Sequence, residues 1–173
     1  NLLNPGNKII ARDPLADLRF DRDAGTVDPG DTHFEWPAGG PLAEARACNG
    51  NGLCRRSGGG AMCPSYRAVR EERHSTRGRA NALGLALDGR LAEGGGDQRS
   101  SGLGREDVLE TLDLCLSCKA CRHECPSNVD LSKLKSEYLA QSFDAAGRIP
   151  FRTRVLGRAG LLLRQAARTP RLA

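Results

Sequence analysis

The sequence predicts a mainly α-helical domain set behind a long irregular N-terminal linker. Three observations predict it. From Pro64 onward, apolar residues recur at helical spacing between capping residues and Gly or Pro stops. Residues 11–45 are instead acidic and rich in Asp, Pro and Gly. Aromatic residues make up only 4% of the 173-residue chain while cysteines number seven, so the core is thin and metal is expected to reinforce it.

Residues 1–10 carry a turn at Asn4-Pro5-Gly6 and then a short apolar end at Ile9-Ile10. The chain begins with Asn, and no signal-peptide pattern follows, which reads as a piece of a longer chain. Across 11–45, Asp13-Pro14, Asp28-Pro29-Gly30 and Gly39-Gly40-Pro41 predict a linker with little regular structure. Phe34, Glu35 and Trp36 stand isolated there and are expected to make one docking contact with a neighbouring domain. His33 has no second ligand at metal spacing and is read as a solvated loop residue.

Tyr66, Val69 and Arg70 predict a helix from Ser65 to about His74. Ser75 is placed to cap a second helix over about Thr76–Asp88, ended by Gly89. Residues 94–104 are low-complexity and lack the Gly-Lys-Ser/Thr of a phosphate loop, so nucleotide binding is rejected. A helix from Glu106 to Leu114 presents Val108, Leu109, Leu112 and Leu116 as its apolar face. Asp130 caps another, with Leu131, Leu134, Tyr138 and Phe143 along one side and Gly147 and Pro150 as its stop.

The last segment, about Phe151–Ala167, sets Phe151, Val155, Leu156, Leu162 and Leu163 against Arg152, Arg154, Arg158 and Arg164. It is an amphipathic basic helix weakened by Gly157 and Gly160, expected to pack on downstream protein, with membrane-surface binding as the alternative. Its longest apolar run, Ala159–Leu163, is far too short to span a bilayer. Net charge is +5 overall, but residues 1–45 sum to −4 and residues 141–173 to +6. Arg outnumbers Lys 22 to 4, which follows from source composition as readily as from function.

The chemistry lies in the cysteines. Cys115-Leu-Ser-Cys118-Lys-Ala-Cys121-Arg-His-Glu-Cys125-Pro126 places four thiols within eleven residues, too close for a disulfide framework. Zinc sites pair two short hairpins separated by a dozen or more residues. Three cysteines at successive two-residue gaps, then a fourth before Pro, form the iron–sulfur arrangement, in which that fourth thiolate serves a different cluster. A partner motif is therefore expected, and Cys48-Asn-Gly-Asn-Gly-Leu-Cys54 with Cys63-Pro64 supplies it.

Cross-ligation assigns Cys63, Cys115, Cys118 and Cys121 to one 4Fe–4S cluster. Cys48, Cys54 and Cys125 remain. They hold a 3Fe–4S cluster, a 4Fe–4S cluster with a non-cysteine fourth ligand, or nothing, and spacing leaves all three open. His74 is a candidate non-cysteine ligand, although a helix-end histidine is the simpler reading. Met62, Leu114 and Leu116 are expected to limit water access, and amides near Gly50, Gly52 and Ser117 to donate to sulfur. No nucleophile–base pair or carboxylate cluster is present, so no catalytic residue is assigned and the segment reads as an electron relay.

Several stretches together resemble one family. They are Cys48 to Cys54, Met62-Cys63-Pro64-Ser65-Tyr66-Arg67-Ala68, His74-Ser75-Thr76-Arg77-Gly78-Arg79-Ala80-Asn81, and Leu112 to Cys121 continuing through Cys125-Pro126-Ser127-Asn128-Val129-Asp130. They are similar to the fused C-terminal iron–sulfur domain of FAD-linked D-2-hydroxyacid dehydrogenases of the D-lactate, D-2-hydroxyglutarate and glycolate oxidase type. Leu3-Asn4-Pro5-Gly6 before Lys8 resembles the end of such an oxidase domain, with Asn7 inserted.

The resemblance implies a helical ferredoxin-like iron–sulfur domain at 46–146. Residues 1–10 would be the tail of an FAD-linked domain, 11–45 an acidic linker, and 147–173 a basic helix leading onward. It implies FAD in an upstream domain of the same chain, and electrons passing from flavin to a quinone, a cytochrome or another carrier. The segment would be part of a larger oxidoreductase, cytoplasmic or peripheral on the inner membrane face, with no nucleic-acid partner. Only the cysteines carry over as site residues; the Ser75-Thr76-Arg77-Gly78-Arg79 run carries over without a role. The alternatives are a stand-alone iron–sulfur subunit of a glycerol-3-phosphate dehydrogenase or heterodisulfide reductase-like complex, and, more remotely, a structural zinc module.

Overall fold

The computed structural model describes residues 31–36, 39–89, 91 and 104–168. The turn at 4–6, the linker up to residue 30 and most of the 94–104 loop lie outside the described residues. Within them the chain is helical, with no strand. The helices are α1 (Gly40–Arg46), α2 (Pro64–Val69), α3 (Thr76–Leu87), α4 (Glu106–Asp113), α5 (Ala120–Glu124), α6 (Leu131–Ala145), α7 (Phe151–Gly157) and α8 (Ala159–Arg168). Short 3-10 turns cover Leu53–Arg55 and Glu72–His74.

α3 is central and packs against α1, α4 and α6. Its small residues make this possible: a Cβ added at Gly84 would just touch Ala45 of α1. Leu83, Leu112, Leu131, Leu134 and Tyr138 form the apolar centre, each no more than 1% exposed. Ser75 caps α3 by accepting from the Gly78 amide at 2.9 Å, and Asp130 caps α6 by accepting from Lys133 at 3.0 Å. Gly147, with φ of 61°, sits just past the end of α6 in the left-handed conformation that closes many helices.

The structure departs from the sequence expectations at five places. α1 forms inside the stretch read as linker, because Leu42 and Ala45 bury against α3. The helix expected over Ser65–His74 stops at Val69, since Arg70 adopts a left-handed φ of 59° and the chain re-enters as a 3-10 turn. Phe34 and Trp36 dock on α6 of this same domain rather than on a neighbouring one, through Glu137. The last helix divides at Arg158 into α7 and α8, neither of which buries any residue. Leu116 lies outside α4 and is 71% exposed, so the buried face of that helix is Val108 and Leu112.

Among the described residues no helix is long and apolar enough to cross a membrane.

Candidate iron–sulfur site

The α4–α5 connection is bent into a tight loop. Ser117 and Lys119 take left-handed φ values of 52° and 61°. Lys135 of α6 donates to the carbonyls of Leu112 and Cys115 at 2.9 and 2.8 Å, which fixes the loop's first limb. Ser132 donates to Ser117 O at 3.4 Å from the same helix. Cys121 then lies within α5, and Cys125 ends it.

Cys63 enters from the other side, at the start of α2. Cys63, Cys115, Cys118 and Cys121 line a single cavity, together with Met62, Thr76 and Arg79. These are the four cysteines that cross-ligation groups together. Cys63 and Cys121 are buried, Cys115 is half-buried and Cys118 is exposed at the mouth. None of the seven cysteines forms a disulfide.

No three His, Cys, Asp or Glu side chains among the described residues converge as they would on a single metal ion. A tetrahedral zinc needs its donors within about 2.3 Å of one point. A cube spreads its thiolates over separate irons, so a shared cavity is the relevant geometry.

The thiols sit in unequal fields. Burial pushes Cys121 up to about 11. Burial also pushes Cys63 up, but Ser65, the Tyr66 amide, the Arg79 charge and the nearby Thr76 hydroxyl outweigh it and leave Cys63 below the ordinary thiol value. The thiolate is the ligand form, so this corner is prepared for it. Ser65 Oγ is 3.4 Å from Cys63 Sγ, and Arg79 Nη1 is 3.6 Å from it.

Cys48 and Cys54 lie in the second half-motif. Gly50 and Gly52 take φ values of 79° and 77°, which allow the sharp bend between them. Burial raises Cys54, contacts with the Arg77 amide and Ser75 oppose it, and the neighbouring Cys48 and Glu72 raise it further. Cys125 packs half-buried against the same core as these two. Glu124 beside it accepts from the Ala61 amide at 2.6 Å and the Met62 amide at 3.2 Å, and pairs with Arg56. That contact joins the two half-motifs.

Met62 is 1% exposed and lines the cavity; Leu116 also lines it, although it is largely exposed, whereas Leu114 faces solvent away from it. His74 is buried with Nδ1 unpartnered, and its backbone carbonyl accepts from Ser65 Oγ at 3.2 Å. His33 holds a loop position with Nε2 2.7 Å from Asp144.

The run Ser75-Thr76-Arg77-Gly78-Arg79 supplies and braces one wall of the site. Ser75 starts the helix. Arg77 ties Glu72 at 2.7 Å to the Gly50 carbonyl at 2.9 Å. Gly78 lies so close to the Glu72 carbonyl that a Cβ there would stand 2.1 Å from it. Thr76 and Arg79, one turn apart, both line the cavity, and each keeps one buried polar atom without a hydrogen-bond partner, Oγ1 and Nη2. Four cysteines around one cavity, with the unused buried donor Arg79 Nη2 in its wall, fit a sulfur-rich cluster in their chemistry.

This fold and cysteine set define an iron–sulfur domain: residues 44–129 match the 4Fe-4S dicluster domain family and form such a domain. The chain is 31% identical to D-2-hydroxyglutarate dehydrogenase of Escherichia coli over 173 aligned residues, 80% of this chain and 16% of that protein. It is 33% identical to D-2-hydroxyglutarate dehydrogenase of Pseudomonas putida over 117 residues, 53% of this chain and 12% of that one. It is 36% identical to a probable glycolate oxidase iron-sulfur subunit of Bacillus subtilis over 76 residues, 43% of this chain and 15% of that subunit. The chain thus spans only 12–16% of the length of these relatives and resembles their iron–sulfur part. No solved structure matches.

Proposed function

We propose that this domain is the electron relay of an FAD-dependent D-2-hydroxyacid dehydrogenase. Electrons from flavin reduced by the hydroxyacid, elsewhere in the same protein, pass through it to a quinone, a cytochrome or another carrier. A 4Fe–4S cluster supplies one-electron transfer when bound. Cys63, Cys115, Cys118 and Cys121 hold the first cluster; Cys48, Cys54 and Cys125 hold the second. The single observation that carries this reading is the convergence of Cys63 with the Cys115–Cys121 loop on one cavity.

The residues around that cavity each have a task. Met62 keeps water from its inner wall. Ser65 and Arg79 favour the thiolate form of Cys63. Lys135 and Ser132 keep the loop in register with α6. The resemblance to a separate iron-sulfur subunit favours a second reading, in which the same relay serves a dehydrogenase carried on another chain.

Iron, zinc and acid-labile sulfide per chain, measured after anaerobic purification, test the relay. About seven or eight irons with matching sulfide is expected for two clusters, and about four for one. Zinc without sulfide sinks the reading.

A further inference from the structure

We propose that Arg79 sets the reduction potential of the cluster held by Cys63, Cys115, Cys118 and Cys121, by directing a charge-assisted hydrogen bond from its unused Nη2 at that cluster's sulfur. The inference rests on the relay reading and deepens it.

Arg79 is 0% exposed. Full burial of a guanidinium is rare without a paired anion, because its desolvation is severe. Here its partners are the Thr111 carbonyl at 2.9 Å on Nε, and Ser65 Oγ at 2.8 Å and Cys63 Sγ at 3.6 Å on Nη1. No carboxylate is among them. Nη2 is buried and has no partner, while the side chain lines the cavity. An isolated buried cation with a spare donor, in the wall of a cavity shared with four cysteines, is explained once an anionic group fills that cavity.

The direction of the effect follows from charge. One electron passed from reduced flavin, or from dithionite in the test, to a cluster bound here would add one negative charge without requiring a proton. The product is more negative by one unit, so a fixed positive charge and a donor to sulfur favour it. Arg79 therefore raises the potential. It touches no substrate, and it acts by positioning charge. Lys119 also lines the cavity but is exposed, so water screens its charge.

The test is a dithionite titration of the full-length holoprotein, followed by electron paramagnetic resonance, in wild type, Arg79→Gln, Arg79→Lys and Lys119→Gln. In Arg79→Gln, iron and sulfide are retained and the reduction equilibrium weakens at least tenfold, 59 mV for one electron. Arg79→Lys restores part of that loss, and Lys119→Gln shifts the potential less than Arg79→Gln. An unchanged potential in Arg79→Gln with the cluster intact overturns the proposal, as does a larger shift in Lys119→Gln. If Arg79→Gln loses its cluster, wild type labelled with 15N-arginine decides: hyperfine coupling of guanidinium nitrogen to the reduced cluster is expected, and its absence overturns the proposal. Absence of iron and sulfide from wild type would instead remove the relay reading itself.

Discussion

Glu137 Oε2 accepts the indole N–H of Trp36 at 3.1 Å, across a hundred residues of sequence. The same carboxylate takes the His33 and Phe34 amides at 3.0 Å each and the Gln141 side chain at 2.7 Å. Lys133 stands 4.1 Å from the Trp36 ring centroid and adds a cation–π contact. One buried anion on α6 therefore pins the segment that leads into α1.

Glu137→Gln is expected to reduce stability by about 2 kcal/mol, because donors that faced an anion then face a neutral amide. Burial raises the Glu137 carboxyl, but the His33, Trp36, Gln141 and Phe34 donors outweigh it, and the folded value lies below the ordinary one. Its contribution is complete above the unfolded value of about 4.3 and is lost as pH falls through the lower folded value. The gap in urea midpoint between wild type and Glu137→Gln, read by the single tryptophan, should thus be constant from about pH 8 to pH 5. A gap that narrows between those limits would overturn the assignment of the clamp to the ionised Glu137 carboxylate.

Local signals were legible in the sequence and long-range ones were not. Ser75, Asp130 and Gly147 mark helix ends because capping involves only the adjacent turn. The Cys115–Cys121 spacing is local in the same sense. α1 was missed because it has no side-chain cap and is held by packing on α3. The stop at Arg70 follows from a left-handed backbone in a residue that carries no turn signature. Leu116 matched the α4 face by spacing, yet the chain has already left the helix at Leu114. The sequence assigns Arg79 no role; only the fold shows it to be buried.

Two glycines of α3 should respond in opposite directions to alanine. Helix propensity alone favours Gly→Ala by up to about 1 kcal/mol at either site. At Gly84 the new Cβ would make ordinary contact with Ala45 at 4.0 Å, so Gly84→Ala should stabilise by a good part of that. At Gly78 the Cβ would stand 2.1 Å from the Glu72 carbonyl oxygen and 2.8 Å from its carbon. Backbone must move, and Gly78→Ala should destabilise by roughly 1–3 kcal/mol. Urea unfolding of both variants checks this; stabilisation by Gly78→Ala would mean the 72–74 turn is not held against α3.

The Glu124 carboxylate joins Arg56 and two amides of the Cys54–Cys63 loop to α5. Glu124→Gln keeps the size but weakens the charge-assisted bonds. The loop that carries Met62 over the cavity should then open more often. Iron release to a chelator at neutral pH is expected to quicken several-fold, with the initial iron content unchanged. Equal release rates would mean that the loop is held by its other contacts, such as Arg67 to the Met62 carbonyl at 3.2 Å.

Cys63 and Cys125 each precede a proline, and each is predicted to serve the cluster of the opposite half-motif. Their replacements should therefore separate the clusters. Cys63→Ser and Cys118→Ser should weaken the same cluster, although the two residues lie in different half-motifs. Cys125→Ser should spare that cluster, although Cys125 is only four residues from Cys121 and donates its amide to that residue's carbonyl at 3.0 Å. Iron per chain should fall from about seven or eight toward four in Cys125→Ser, with the resonance signal of the first cluster intact. If Cys125→Ser and Cys118→Ser remove the same signal, the Cys115–Cys125 loop binds one cluster by itself, and Cys63 stands against that cluster without holding it.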